Sequence, residues 1–285
     1  MKRIIIIFLV LISFISCEDV IEVETPSEPP RLVVDGIIRI DTTEAFTTAR
    51  IKISTSSSFF DANTPVSADL VRIQNVQYEP EIVGEDNFIR LVEVQPGIYE
   101  GGKSTSFFTE GRLDLYINYN EERFYAATAF VPSAPIDSLR QGTETLFSED
   151  ETEIVVSFTD IGERNDFYVF DFGFNEFLVT EDEFYQGQTF EFSYFYEDGI
   201  EAGTELSISL LGADEGFFNY MNQVIVQSGG DQGPFQTPAA TVRGNVFNVT
   251  GIDNIEVLDN VERSDNFALG YFAVVQEYKS NITIE

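Results

Sequence analysis

The chain has 285 residues, of which 43% are hydrophobic and 14% aromatic, so it carries enough apolar side chains for a core and is far from a disordered composition. Its 49 acidic residues outnumber its 16 basic residues, which gives a net charge of −33. Such a surface repels phosphate groups, and nucleic acid is therefore excluded as a partner.

Histidine is absent from the sequence. Its absence removes the commonest general base and the commonest zinc ligand, and with them Ser-His-Asp and Cys-His catalysis. Among the 49 carboxylates, no acid and nucleophile pair of the glycosidase type stands out. Phosphate-binding loops, paired-cysteine metal motifs and dinucleotide fingerprints are missing as well. We therefore expect no enzymatic activity and no cofactor apart from a covalent lipid.

The beginning of the chain has the layout of a secretory signal. Residues 1–16 contain a short basic region and an apolar run from 4 to 15, which is too short to cross a bilayer as a helix. Ser16 then precedes Cys17, the single cysteine of the chain. A small residue before a lone cysteine predicts lipoprotein processing, in which a diacylglycerol is attached to the thiol of Cys17 and cleavage makes it the first residue. The alternative is an ordinary signal peptide with an incidental cysteine.

The segment after the predicted signal differs from the rest of the chain. Residues 17–30 are acidic and proline-rich and show almost no periodicity. This composition predicts an extended tether between the lipidated cysteine and a folded body. An anchor of several palmitate-type acyl chains, at about 0.8 kcal/mol per buried methylene, would hold the protein at a membrane without help from the polypeptide.

Short β-type runs separated by turn residues fill the chain from 31 to 131. In one of them Ile51 and Ile53 alternate with Arg50 and Lys52, which is the pattern of a half-buried strand. Short strands at this spacing predict an immunoglobulin-like β-sandwich. The fold class is thus mostly β, with this sandwich at 31–131 as the first domain.

The proline-rich segment around Pro132 and Pro135 predicts a domain boundary, and residues 136–285 are expected to form a second β-rich domain. Two of its strands carry aromatic side chains at alternate positions, which we interpret as core faces and alternatively as a platform for sugar rings. The aromatic rows are Tyr168, Phe170, Phe172 and Phe174, and Phe190, Phe192, Tyr194 and Tyr196.

One helix is predicted in the second domain, at about 214–228. Asp214 is a suitable N-cap, and Phe217 and Met221 begin an apolar stripe that Val224 and Ile225 continue. Two glycines end the pattern after residue 228. The helix is expected to lie across the second sheet.

Two acidic runs, 149–151 and 181–183, fall between predicted strands. Carboxylates are the ligands that calcium prefers, but the EF-hand spacing is missing. We interpret both runs as solvated acidic loops, with calcium binding as the alternative.

Several segments resemble those of a known family. In chain order they are Cys17 with the proline-rich segment after it, Arg31 to Gly36, Pro135 to Ser138, Phe158 to Asp160, Gly162 to Tyr168, Gly233 to Phe235 with Pro238, Gly244 to Val246, and Ala268 to Phe272. With these segments the chain resembles the Bacteroidota lipoprotein family known as domain of unknown function 4249 (DUF4249). Glu18 and Asp19 also resemble the acidic tag of lipoproteins that are sent to the cell surface.

The resemblance implies an outer-membrane lipoprotein, facing the cell exterior, that accompanies a TonB-dependent transporter barrel without a known reaction. It also marks Pro234, Phe235, Gly270, Tyr271 and Phe272 as a candidate partner surface, although the same residues could instead serve backbone geometry and the core. The expected function is therefore a non-enzymatic accessory or binding subunit of a barrel complex. The alternative is a structural or adhesive surface module, stabilised by calcium.

Overall fold

The computed structural model describes residues 29–57, 62–79, 86–148, 150–228, 241–252 and 267–285. Strands account for 54% of these described residues, which confirms the predicted mostly β fold. The predicted signal, Cys17 and most of the tether lie outside the described residues. Within the described ranges, no helix is long and apolar enough to cross a membrane.

The chain forms strands and short helices in the following order. They are β1 (Leu32–Ile40), β2 (Phe46–Thr55), β3 (Thr64–Pro65), β4 (Leu70–Asn75), β5 (Phe88–Arg90), β6 (Val92–Gln95), β7 (Ile98–Ser104), α1 (Thr105–Thr109), β8 (Arg112–Tyr119), β9 (Glu122–Val131), β10 (Ile136–Gln141), β11 (Thr152–Thr159), β12 (Phe167–Asp171), β13 (Phe177–Glu181), a 3₁₀ turn (Asp182–Phe184), β14 (Thr189–Tyr196), β15 (Glu205–Ala213), α2 (Glu215–Ser228), β16 (Phe247–Asn248) and β17 (Leu269–Thr283).

The first half is sandwich-like, with apolar residues of β1, β2 and β7 facing those of β4, β8 and β9 across one core. Alternation explains the arrangement, since Ile51 and Ile53 are buried while Arg50 and Lys52 on the same strand are exposed. The strand order is β5-β4-β8-β9-β17-β1-β2-β7-β6. The predicted sandwich pattern of this half therefore agrees with the observed core.

The last strand runs through both halves of the molecule. Its first part pairs in parallel with β1, from Leu269 opposite Val33 onward, and its second part pairs antiparallel with β15 up to Thr283 opposite Glu205. The division into 31–131 and 136–285 stays a prediction. Strand β17 is paired with β1 along its first part and with β15 along its second part, so one long strand connects the strands of both halves.

In the second half, strands β12 and β15 are covered on both faces. On one face, the sheet β10-β11-β14 covers β12 and β15, and the core between them is rich in aromatic rings. On the other face, α2 places Phe217 and Met221 against β12, β15 and β17. The predicted helix is confirmed, and the N–H of Phe217 donates to Oδ1 of Asp214 at 2.7 Å as an N-cap.

The two aromatic rows meet across this core, not side by side within one sheet. Strand β12 pairs with β13 and β15, whereas β14 pairs with β11. The ring of Phe172 stacks on Tyr194 at 3.7 Å, and the ring of Phe170 meets Phe192 edge-on at 5.1 Å. The interpretation as core faces fits these residues. Phe174 departs from it, because it is 63% exposed.

Candidate functional site

A cleft of about 450 Å³ lies where the two halves of the molecule meet. One wall is the outer face of β1 and β2, and the opposite wall is the hairpin between β12 and β13. Helix α2 contributes Phe217 and Met221 to the apolar floor, beside Val169 and Leu211. Ligand sites are commonly found in concave, largely apolar clefts of this kind.

The β1–β2 wall follows from strand alternation. Val34 and Ile38 point into the sandwich core and are buried, so the alternate residues Asp35, Ile37 and Arg39 face outward. Asp35 lies opposite Lys52 in the register of β1 and β2, and their side chains form an exposed ion pair at 3.0 Å. Arg50 lies on the same face. The wall therefore presents donors and acceptors in close alternation.

Arg39 joins the two walls. Its guanidinium contacts Oδ2 of Asp171 at 2.6 Å and Oε1 of Glu277 at 3.1 Å. Burial disfavours the charged guanidinium, but the hydrogen bonds and charges of the two carboxylates outweigh it and raise the pKa of Arg39. Ser209 donates a further hydrogen bond to Glu277 at 2.7 Å. This ion-pair network fixes where β12 lies relative to β1.

The hairpin after β12 has an uncommon backbone. Oδ1 of Asp171 accepts the N–H of Gly173 at 2.9 Å, so the carboxylate that pairs with Arg39 also starts the turn. The next residues, Phe174 and Asn175, have φ angles of 52° and 66°. Asn adopts this left-handed region readily, but for a bulky residue such as Phe it is strained. Phe174 is one of the residues that line the cleft, and its ring also meets that of Tyr196.

Two tyrosines of β14 hold the hairpin from the side of the aromatic core. The hydroxyl of Tyr196 donates to the carbonyl of Phe172 at 2.7 Å, and the hydroxyl of Tyr194 donates to Oε2 of Glu176 at 2.5 Å. Burial and the neighbouring Glu176 carboxylate raise the pKa of Tyr194. The hairpin is thus fixed from both sides, and its geometry is set before any ligand binds.

The candidate partner surface has to be corrected at the residues that the structure describes. Tyr271 and Phe272 are 8% and 0% exposed, because β17 is a central strand with a core on each face. Gly270 has a φ of 91°, and a Cβ at this position would collide with the carbonyl of Val34. These three residues therefore serve backbone geometry and the core. Pro234 and Phe235 lie outside the described residues.

The two acidic runs, 149–151 and 181–183, differ in the hydrogen bonds that their carboxylates accept. The carboxylate of Glu151 accepts backbone N–H groups of Leu146, Phe147 and Ser148, and Asp182 is buried and accepts the N–H of Asp166 at 2.9 Å. Among the residues that the structure describes, no group of three acidic, histidine or cysteine side chains could hold a metal ion. The prediction about calcium stays a prediction.

The sequence did not mark Arg39, Asp171 or the special position of Phe174 as parts of a site. The two charged residues are 132 positions apart, and no local pattern joins them. A signal for the turn was present, because Gly173 and Asn175 flank Phe174 and both tolerate left-handed backbone. The alternating aromatic row, which is typical of a continuous strand, instead favoured a strand through Phe174.

A family model described as domain of unknown function (DUF4249) matches residues 18–280. The match covers nearly the whole chain and confirms the family resemblance that the sequence motifs indicated. None of the curated proteins matches this chain.

Proposed function

The chain belongs to the DUF4249 family, and from this premise we propose that it is a lipid-anchored, non-enzymatic binding subunit of an outer-membrane barrel complex of the TonB-dependent transporter type. The lipid is attached to Cys17, and the folded body faces the cell exterior. The proposal is supported by the signal-like beginning of the sequence, the acidic and proline-rich tether, and a fold that displays apolar residues on fixed loops.

The observation that carries the proposal is that the two ends of β17 mark two opposite ends of the molecule. The described chain enters β1 beside the first residue of β17, where Val33 pairs with Leu269. The other end of β17 lies beside the start of β15, where Thr283 pairs with Glu205. A strand of 15 residues spans roughly 45 Å. A tether that precedes β1 therefore attaches at the end of the body opposite the one at Thr283.

Exposed apolar side chains are found at the end away from the tether. Leu146 and Phe147 are 61% and 94% exposed, on the loop between β10 and β11. This loop starts after Gln141, whose side chain accepts the N–H of Glu285 at 2.8 Å, so it lies near the end of β17. Phe174 is at the same end, because its ring meets Tyr196, and Tyr196 pairs with Thr152 at the foot of the loop.

The loop that carries Leu146 and Phe147 is held in place, since the Glu151 carboxylate accepts backbone N–H groups of Leu146, Phe147 and Ser148. Large apolar side chains that are fixed in water are typical of interaction sites. Their distance from the tether directs them away from the bilayer. A protein partner that rises above the membrane, such as the extracellular loops of a barrel, fits this arrangement.

Capture of the full-length protein from its own membranes in a gentle detergent, followed by mass spectrometry, tests the proposal. We expect recovery of a stoichiometric outer-membrane barrel with the wild-type chain and loss of that barrel with the double variant Leu146→Ser and Phe147→Ser. The variant Phe184→Ser is the matched control, because Phe184 is 85% exposed but lies in the 3₁₀ turn outside this loop. Recovery of the wild-type protein alone would overturn the proposal.

A further inference from the structure

We propose that the cleft between β1, β2 and the β12–β13 hairpin binds a neutral sugar ring of an oligosaccharide. The inference deepens the proposed function and rests on it, because it names the class of ligand that such a binding subunit would take. It depends on the charge pattern of the cleft, on the hydrogen-bonding groups of its walls and on the position of Phe174.

The charge pattern disfavours ligands with a strong charge of either sign. The cleft contains the cations Arg39, Arg50 and Lys52 together with the carboxylates of Asp35 and Asp171. An anionic ligand would meet these carboxylates and the field of a chain with a net charge of −33. A cationic ligand would meet three positive side chains at close range. A neutral ligand with both donors and acceptors fits the walls best.

Sugar hydroxyls have this property, since each one donates one hydrogen bond and accepts others. The side chains of Lys52 and Asp35 are 58% and 52% exposed, and that of Arg50 is 52% exposed. Their polar atoms are therefore accessible from the cleft while the ion pairs keep them in place. The amide of Asn175, which also lines the cleft, offers a further donor and acceptor.

The ring of Phe174 supplies the apolar partner for a sugar. Phe174 lines the cleft and is 63% exposed, so its ring is open to contact with the C–H groups of a pyranose. Its backbone has a φ of 52°, a conformation that glycine would adopt without strain. Phe174 is strained and adds little to the core. The presence of an aromatic residue at this position is therefore better explained by contact with a ligand than by a contribution to the stability of the fold.

The size of the site agrees with a small ligand. A volume of about 450 Å³ lies within the range of roughly 300 to 1,000 Å³ that is typical of small-molecule sites. The walls are already fixed by the Arg39 ion pairs and by the hydroxyls of Tyr194 and Tyr196. Little ordering of the protein is then required when the ligand binds.

Calorimetric titration of the full mature chain in a polyoxyethylene detergent tests the inference, because maltoside detergents would compete for the site. The neutral probes are hexaoses of glucose, xylose and mannose, and the charged probes are hexagalacturonate and chitosan hexaose. We expect at least one neutral hexaose to bind at least tenfold more tightly than both charged probes. Phe174→Gly should weaken this binding at least tenfold, whereas Phe184→Ala should leave it within twofold.

Tighter binding of a charged probe, no binding of any neutral hexaose, or equal binding by Phe174→Gly would overturn the inference. The capture experiment described above keeps the two proposals apart. Recovery of the barrel without hexaose binding would contradict the sugar site alone, and hexaose binding without a barrel would contradict the barrel partnership alone.

Discussion

Strand β12 and the hairpin that follows it continue one alternating row of aromatic residues, but their rings lie in different environments. Tyr168, Phe170 and Phe172 are fully buried between two sheets, whereas Phe174 is 63% exposed. The row leaves the core where the backbone turns left-handed at 173–175. Alternation thus predicts burial only as long as the chain remains extended. The buried rings stabilise the fold, and the exposed ring is available for binding.

The largest effect is expected in the buried part of the row. Phe170→Ala removes a side chain with no exposed surface that packs against Phe158, Phe172 and Phe192. Loss of the burial and the cavity left behind should lower the free energy of unfolding by about 4 kcal/mol. Urea denaturation of the mature chain measures it, with the exposed Phe184→Ala as a control that should change by less than about 0.5 kcal/mol. A loss below about 1 kcal/mol for Phe170→Ala would contradict the assignment to the core.

A smaller effect is expected where Arg39 fixes the hairpin. Arg39→Met leaves the carboxylates of Asp171 and Glu277, which are 18% and 16% exposed, without their common partner. We expect the free energy of unfolding, measured by urea denaturation, to fall by about 2 kcal/mol. This value lies between those typical of exposed and of fully buried ion pairs. Lys52→Met is the matched control, because its ion pair is exposed and should contribute less than about 1 kcal/mol. Equal losses for the two variants would show that Arg39 does not hold the walls together.

The next effect depends on pH. Tyr194→Phe removes the hydrogen bond to Glu176 and should cost about 1 kcal/mol at pH 7. The folded state raises the pKa of Tyr194 above its ordinary value of 10.0. The contribution of the Tyr194 hydroxyl to the free energy of unfolding is therefore complete below the pKa that Tyr194 has in the unfolded chain, and it is lost as the pH rises above that pKa. Wild type should therefore lose stability more steeply than Tyr194→Phe when urea denaturation is repeated at pH 9 and above. Parallel curves would argue against the raised pKa.

Much of the fold could be predicted from local patterns. Alternation in β2 and the capped apolar stripe of α2 are properties of short segments, and both were found where the sequence placed them. Gly101 and Gly102 lower the strand propensity of β7, so its local sequence indicates a strand only weakly. The parallel pairing of β17 with β1 joins residues more than 200 positions apart, and no local pattern specifies it.

The site was less predictable than the fold. The Arg39 network unites β1, β12 and β17, and only tertiary structure brings these strands together. The burial of Tyr271 was also hidden, because a strand covered on both faces shows no alternation. The hairpin at Phe174 was not predicted, although Gly173 and Asn175, which tolerate left-handed backbone, are a local signal for it.

The most direct test of the account is urea denaturation of wild type and Phe174→Gly, each with and without the best neutral hexaose. Without ligand, the variant should lie within about 1 kcal/mol of wild type and on the more stable side, because relief of the left-handed strain outweighs the added freedom of glycine in the unfolded chain. A hexaose at 100 times its dissociation constant for wild type should stabilise wild type by about 2.7 kcal/mol and the variant by about 1.4 kcal/mol or less. Equal stabilisation of both proteins, or none of wild type, would contradict the account.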